Sequence, residues 1–179
     1  MRKIFVIIIL ACFIQGCFHF QETDKSHEPS NEGEHREEAL EMEAIVASVN
    51  GELIEKETVK KFIDTSKRYG IKENKTSATE QIIDTMLLME ETSKRGINAT
   101  TLETRKYLNR TLEEGMDENQ LSKNLGDEYP DFLENQRRIL KFKRLASDEK
   151  GGQVAVEEMD YFLDKLLVEL RKEAYIEYY

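Results

Sequence analysis

Apolar residues recur at helical spacing along most of the chain, after one short segment of β-type residues. Residues 45–49 (Ile-Val-Ala-Ser-Val) are small or β-branched, and Asn50-Gly51 follows them. An Asn-Gly pair between two such runs is the strongest short-range signal of a β-hairpin. Leu53 and Ile54 begin the return strand. The pattern therefore predicts a small hairpin at the start of the folded body.

Beyond Glu55 the apolar period changes to about 3.6 residues, which predicts helices. Gly70-Ile71 and Gly96-Ile97 are typical of helix ends in which a left-handed glycine precedes an apolar residue. The first two predicted helices therefore end at these glycines.

Two segments have capping-box spacing, residues 100–103 and 117–120, and each predicts a helix start. The two helices are predicted to stop at Gly115 and Gly126. The apolar face of the first would carry Leu102, Leu108 and Leu112.

A long helix is predicted from Pro130 to about Ala146, followed by a break over residues 147–153. A last helix follows the break. Its broad apolar stripe consists of Val156, Met159, Phe162, Leu163, Leu166, Leu167 and Leu170. The predicted fold is therefore mainly α, a multi-helical domain over residues 44–179 with a small N-terminal β-hairpin.

Charge and composition exclude some functions. The chain has 179 residues, about one domain, and a formal net charge of −10, whereas nucleic-acid binding requires a basic surface. The body contains no Gly-rich phosphate loop and no Ser/His pairing. Adjacent acids such as Glu90-Glu91, Glu113-Glu114 and Glu157-Glu158 point in different directions around a helix, so we interpret them as solvated faces.

The N-terminal segment resembles a bacterial lipoprotein signal. Arg2 and Lys3 precede an apolar run over residues 4–14, which is too short to span a membrane. Ile14-Gln15-Gly16-Cys17 resembles a lipobox, although a small residue is usual at the position of Gln15. The resemblance implies a signal peptide over residues 1–16 and a diacylated Cys17 as the mature N-terminus. The alternative is an ordinary secretory signal cut nearby.

Residues 17–43 are predicted to be an acidic tether. Residues 18–43 contain nine acidic and two basic side chains. His19, His27 and His35 all lie in this segment, and we interpret them as exposed histidines rather than as ligands of a weak metal site. No cofactor and no metal are expected.

Four segments of the body resemble foldases of the SurA and PrsA type. They are Val46–Ile54 with the acidic helix start after it, Gln81–Ile97, Tyr129–Leu145, and Glu169–Tyr179, which is similar to the family's C-terminal helix. The resemblance covers about residues 44–179. It implies a helical chaperone lobe of the SurA N-terminal kind, which holds unfolded or partly folded exported proteins.

Members of that family usually carry a parvulin prolyl-isomerase domain between the long helix and the C-terminal helix. Here the insertion point, residues 147–153, leaves no room for a domain. Residues 36–179 contain no His and no Cys, so the histidines of the parvulin site have no counterpart. We therefore expect no enzyme activity of this kind.

The leading hypothesis is a chaperone-like lipoprotein, anchored through Cys17 to the extracytoplasmic face of the cell membrane. Its candidate peptide-binding residues are Met86, Met89, Met116 and Tyr129, since thioethers and amphipathic rings suit varied partners. The alternative for each residue is core packing. The alternative function is an envelope adaptor that uses the same fold to bind one dedicated partner.

Replacing Cys17 by Ala should release or mislocalise the protein, because the apolar run is too short to serve as a permanent anchor. Fractionation of cells expressing the wild type and Cys17→Ala measures this directly. A processed variant that stays bound to the membrane as firmly as the wild type would contradict the lipobox interpretation.

Overall fold

The computed structural model describes residues 44–68, 70–112 and 117–179, which are mainly helical with a small antiparallel sheet. In chain order the elements are β1 (Ile45–Val49), β2 (Glu52–Glu55), α1 (Lys56–Arg68), α2 (Lys75–Lys94), α3 (Thr101–Thr111), α4 (Glu118–Leu125), a 3-10 turn (Gly126–Glu128), α5 (Tyr129–Lys150), α6 (Val156–Glu173) and β3 (Ile176–Tyr178). The predicted signal peptide, Cys17 and the tether lie outside the described residues.

The predicted hairpin is confirmed. β1 pairs antiparallel with β2, and Val49 lies opposite Glu52 across a two-residue turn. Asn50 and Gly51 both have positive φ, 51° and 88°, as a type I′ turn requires. These are the residue types that adopt this conformation at least cost.

A third strand follows α6, where the sequence resemblance placed a continuous C-terminal helix. The helix ends at Glu173, and β3 pairs antiparallel with β1, so that Val49 lies opposite Ile176 and Ala47 opposite Tyr178. The strand order is β2-β1-β3, which makes β1 the central strand. A three-residue strand is stable only through its neighbour, and its local sequence therefore carries little signal.

The glycine helix ends are confirmed at the first two helices. In α1 the N–H of Gly70 donates to the carbonyl of Lys67, and that of Ile71 donates to the carbonyl of Ser66, both at 3.0 Å. This is the Schellman pattern of bonds. The same pattern closes α2 at Gly96.

The long helix α5 continues one turn beyond its predicted end. Residues 147–150 are helical, and the chain turns at Gly151, whose φ is 72°. The N–H of Gly152 donates to the carbonyl of Ser147 at 2.9 Å, which is again a Schellman bond. The predicted break is therefore shorter and begins at Gly151.

Both capping boxes are confirmed, but the predicted face of α3 is partly wrong. Thr100 with Glu103 caps α3, and Asp117 with Gln120 caps α4. Leu108 is buried, whereas Leu102 is 63% exposed in the first turn of α3. A side chain in the first turn has no preceding turn to pack against and depends on tertiary neighbours. The helix α3 ends at Thr111 and Leu112 is extended, so the predicted stop at Gly115 is too late.

One apolar core joins the sheet to α1, α2, α5 and α6. Its buried side chains include Val46, Ala47, Val49 and Ile54 from the sheet, Val59 and Phe62 from α1, Ile82, Ile83, Leu87 and Leu88 from α2, Phe142 and Leu145 from α5, and Met159, Leu163, Leu166, Leu167 and Leu170 from α6. The predicted stripe of α6 is therefore buried in its centre, while Val156 at its start is 37% exposed.

Replacing Leu163 by Ala should destabilise the protein by about 2–5 kcal/mol, because its side chain is fully buried and the substitution leaves a cavity. Val168→Ala is the matched control, since Val168 lies on the exposed face of the same helix. Chemical denaturation of the two variants measures the difference. Equal free energies of unfolding for the two variants would contradict the conclusion that α6 stabilises the core.

Candidate functional site

Two of the candidate peptide-binding residues belong to the core. Met86 and Met89 lie on α2, are half-buried and pack against the main apolar cluster. Most of their surface is therefore committed to intramolecular packing. The structure favours core packing, the alternative that the sequence left open for both residues.

Tyr129 lies at the start of α5, outside that cluster. Its hydroxyl donates to Oε1 of Glu118 at 2.5 Å and so ties the start of α4 to α5. Burial, followed by the neighbouring Glu118 carboxylate, raises the pKa of Tyr129 to about 12. The hydroxyl therefore remains a hydrogen-bond donor at neutral pH. Met116 falls outside the described residues.

The helices α3 and α4, which we call the arm, contribute no side chain to the main apolar core, although Thr104 and Leu108 of α3 are buried. α4 has eight residues and none of them is buried. Its partly buried positions, Glu118, Leu121, Ser122 and Leu125, recur at spacings of three and four residues and form one stripe. The stripe therefore faces the protein, but its leucines stay partly exposed.

The partly exposed apolar residues around α4 form a second group, which we call the arm cluster. It comprises Leu112, Leu121, Leu125, Tyr129 and Leu133, all half-buried and none of them part of the main core. Leu133 lies one helical turn from both Tyr129 and Arg137, each of which contacts the arm or the chain leading into it. The cluster therefore lines the junction between the arm and the first half of α5.

Polar contacts from α5 hold the start of the arm. Nε of Arg137 donates to the carbonyl of Ala99 at 2.6 Å. Arg144 donates to the carbonyl of Asn98 and, at 2.5 Å, to Oε1 of Glu103. Lys143 completes the group, with its ammonium 5.5 Å from the centre of the Tyr107 ring.

The carboxylate of Glu103 links the start of α3 to α5. Its carboxylate pairs with Arg144 and also accepts from the backbone N–H and the hydroxyl of Thr100, both at 2.8 Å. These bonds, with that from Arg144 the strongest, lower the pKa of Glu103 to about 2. The carboxylate is therefore ionised throughout the physiological range and joins the helix cap to α5.

Of the residues at this junction, the sequence identified Tyr129 as a candidate but not the leucines. Leu121 and Leu125 stand four residues apart on a short helix that is otherwise polar. That spacing is the signal that would have identified them, because an isolated apolar pair on a short helix must face either a neighbour or a partner.

The described residues contain no candidate metal site. Within residues 44–68, 70–112 and 117–179, no group of three His, Cys, Asp or Glu side chains could hold a metal ion. Glu90 pairs with Lys94, whereas its neighbour Glu91 pairs with Arg95. Glu157 and Glu158 are exposed, as the interpretation as solvated faces predicts, whereas the Glu91 side chain is only 14% exposed. Glu113 and Glu114 fall outside the described residues.

Among the described helices, none combines the length and the apolar composition needed to cross a bilayer. The chain matches no protein-family model, no curated protein and no solved structure.

Replacing Arg144 by Gln should raise the pKa of Glu103 from about 2 toward its usual value of 4.5, because the largest stabiliser of the carboxylate is removed. In the wild type, the contribution of Glu103 to attachment of the arm is complete above pH 4.5 and is lost as the pH falls through about 2. In the variant, that loss should occur at higher pH.

Titration of the Glu103 side-chain carbon by NMR measures this shift. Lys60→Gln is the control, since Lys60 pairs with Glu57 on α1 and should leave the Glu103 titration unchanged. An unchanged titration in Arg144→Gln would show that the pair does not form in solution.

Proposed function

We propose that the protein is a lipid-anchored, extracytoplasmic chaperone that holds unfolded exported polypeptides without prolyl-isomerase activity. The observation that carries the proposal is the arm cluster, a group of apolar side chains outside the main core whose burial is incomplete. Apolar surface that the fold leaves half-covered is the surface against which an unfolded segment gains most by binding.

The proposed mechanism is completion of burial by the client. Full burial of one leucine side chain is worth about 1.5–3 kcal/mol relative to exposure, and the leucines of α4 have only part of this gain. An apolar client side chain laid against Leu121 and Leu125 supplies part of the remainder. Several such contacts give weak and reversible binding, as a holding function requires.

The construction of the arm suits clients of different shape. A helix of eight residues is not stable alone in water, and α4 has no fully buried side chain to fix it in place. Its start is held by the bonds of Glu118 to Tyr129 and to Arg105. Local adjustment of such a helix is less costly than deformation of the close-packed core.

The sequence resemblance to SurA- and PrsA-type foldases supports the same function. It implies a helical lobe in which the C-terminal helix packs back against the N-terminal part, and α6 packs against α2 and α5. The lipobox-like segment ending at Cys17 supports anchoring at the outer face of the cytoplasmic membrane. The absence of His and Cys from residues 36–179 supports a function without parvulin chemistry.

The proposal is tested by replacing the two leucines of α4 together, Leu121→Ser with Leu125→Ser. We expect the double variant to suppress aggregation of a chemically denatured exported protein at least about fivefold less well than the wild type, since two apolar contacts are lost. Light scattering at several ratios of chaperone to client measures the effect.

Leu102→Ser is the matched control, because Leu102 is an exposed leucine of the same arm outside the arm cluster. Thermal unfolding checks the fold, and we expect transitions within a few degrees of the wild type because α4 contributes no buried residue. Equal holding by the double variant would contradict the proposed site. Binding of one native envelope protein with no affinity for denatured clients would instead favour the adaptor function.

A further inference from the structure

β3 is an edge strand of the sheet. Its backbone N–H and C=O groups point alternately toward β1 and away from it. The carbonyl of Tyr175 accepts from the N–H of Asn50 at 2.8 Å, and the N–H of Tyr179 donates to the carbonyl of Val46 at 3.0 Å. The backbone N–H and C=O groups of the odd-numbered residues therefore point toward β1. By the alternation of an antiparallel ladder, the N–H and C=O groups of Ile176 and Tyr178 point to the side of β3 that no other strand occupies within the part of the chain that the structure describes.

The side chains along this edge are unusually aromatic and exposed. Tyr175 is 65% exposed, Tyr178 is 56% exposed and Tyr179 is 58% exposed. Unpaired strand edges of this kind are templates for another strand, and natural proteins commonly protect them. Here the flanking tyrosines provide ring surface on which the side chains of an added strand can pack.

Glu177 places a negatively charged carboxylate at the middle of β3. Its carboxylate accepts from the hydroxyls of Tyr175 at 2.6 Å and Tyr179 at 3.0 Å, which fixes it between the two rings. The register of the sheet places Glu177 beside Ser48 and Leu53 on the face opposite the main core. A strand added at this edge therefore places one of its side chains next to a fixed negative charge.

The same carboxylate disfavours pairing with a second copy of this chain. In the antiparallel register that pairs all three residues of β3 with the same strand of the other copy, Ile176 lies opposite Tyr178 and Glu177 lies directly opposite Glu177. Like charges directly opposite each other destabilise a strand pair, whereas opposite charges stabilise it.

We propose that β3 is a binding site for an extended segment of another protein, which adds to the sheet as an antiparallel fourth strand. The segment carries Lys or Arg opposite Glu177 and apolar residues two positions to either side, over the rings of Tyr175 and Tyr179. Backbone bonds to Ile176 and Tyr178 provide affinity, and the side-chain pattern provides specificity. This site is separate from the arm cluster and does not depend on it.

The probe is a capped, fluorescent peptide with the sequence Leu-Thr-Lys-Thr-Leu, compared with the same peptide carrying Glu at its centre. Anisotropy with the full-length protein should show about five- to tenfold tighter binding of the Lys peptide. Glu177→Lys should reverse the order of the two peptides. Equal affinity for the Lys and Glu peptides would overturn the proposed register.

Backbone pairing is tested on both partners. Tyr178→Pro removes an outward N–H that the ladder to β1 does not use, and should weaken binding at least about tenfold, whereas Tyr178→Val keeps the N–H and should change binding less than about threefold. In the peptide, N-methylation of either Thr should weaken binding at least about tenfold, as Tyr178→Pro does in the protein. N-methylation of the central Lys should not weaken binding to this extent.

Amide hydrogen exchange followed by NMR gives a third measurement. Peptide should slow exchange at Ile176 and Tyr178 and leave Tyr179, already bonded to β1, unchanged. No binding of either peptide at millimolar concentration would overturn the proposal, as would self-association of the protein through this edge. Client holding by the arm cluster would survive either result, so the two proposals fail separately.

Discussion

Burial of the leucine stripe of α6 between α2 and α5 is the interaction on which the rest of the structure depends. Leu163 is fully enclosed, and Arg171 near the end of the helix pairs with Asp84 of α2 at 2.6 Å. The helix is fixed along its length by apolar packing and at its end by charge. This position carries the following residues back to the hairpin, where β3 pairs with β1. The sheet and the helical core are therefore one cooperative unit, since displacement of α6 would also remove an edge strand.

The arm is attached by a different kind of interaction. In the core, buried Val, Ile, Leu and Phe side chains exclude water, whereas the arm combines two buried residues of α3, Thr104 and Leu108, with surface contacts of Arg137, Arg144 and Glu103. Partly exposed ion pairs contribute little to stability, because water screens them and ordering long side chains costs entropy. Displacement of α4, which has no buried residue, is therefore expected to cost less free energy than unfolding of the protein. The proposed holding function requires a rigid base and an adaptable contact surface, and the close-packed core and α4 would provide them.

The two proposed binding surfaces use different physical features of a partner. The arm cluster offers half-buried leucines and selects for apolar side chains with little dependence on backbone geometry. The edge of β3 offers directed N–H and C=O groups beside Glu177, and selects for an extended backbone with a basic side chain. An unfolded exported chain contains both features, at different places along its length. Simultaneous use of the two surfaces would raise the affinity for a long client well above that for a short peptide.

The sequence by itself determined the local elements. The Asn50-Gly51 turn, the glycine helix ends at Gly70 and Gly96 and both capping boxes form as predicted, because each depends on backbone preferences and hydrogen bonds within a few residues. The apolar stripe of α6 could also be predicted from the sequence, because the helical spacing of apolar residues indicates which face of a helix is buried. The tertiary structure was needed to show that residues 176–178 form a strand, that Met86 and Met89 pack against the core and that the leucines of α4 remain partly exposed. Each of these outcomes depends on a partner distant in sequence, and local propensity contains no information about how completely that partner covers a side chain.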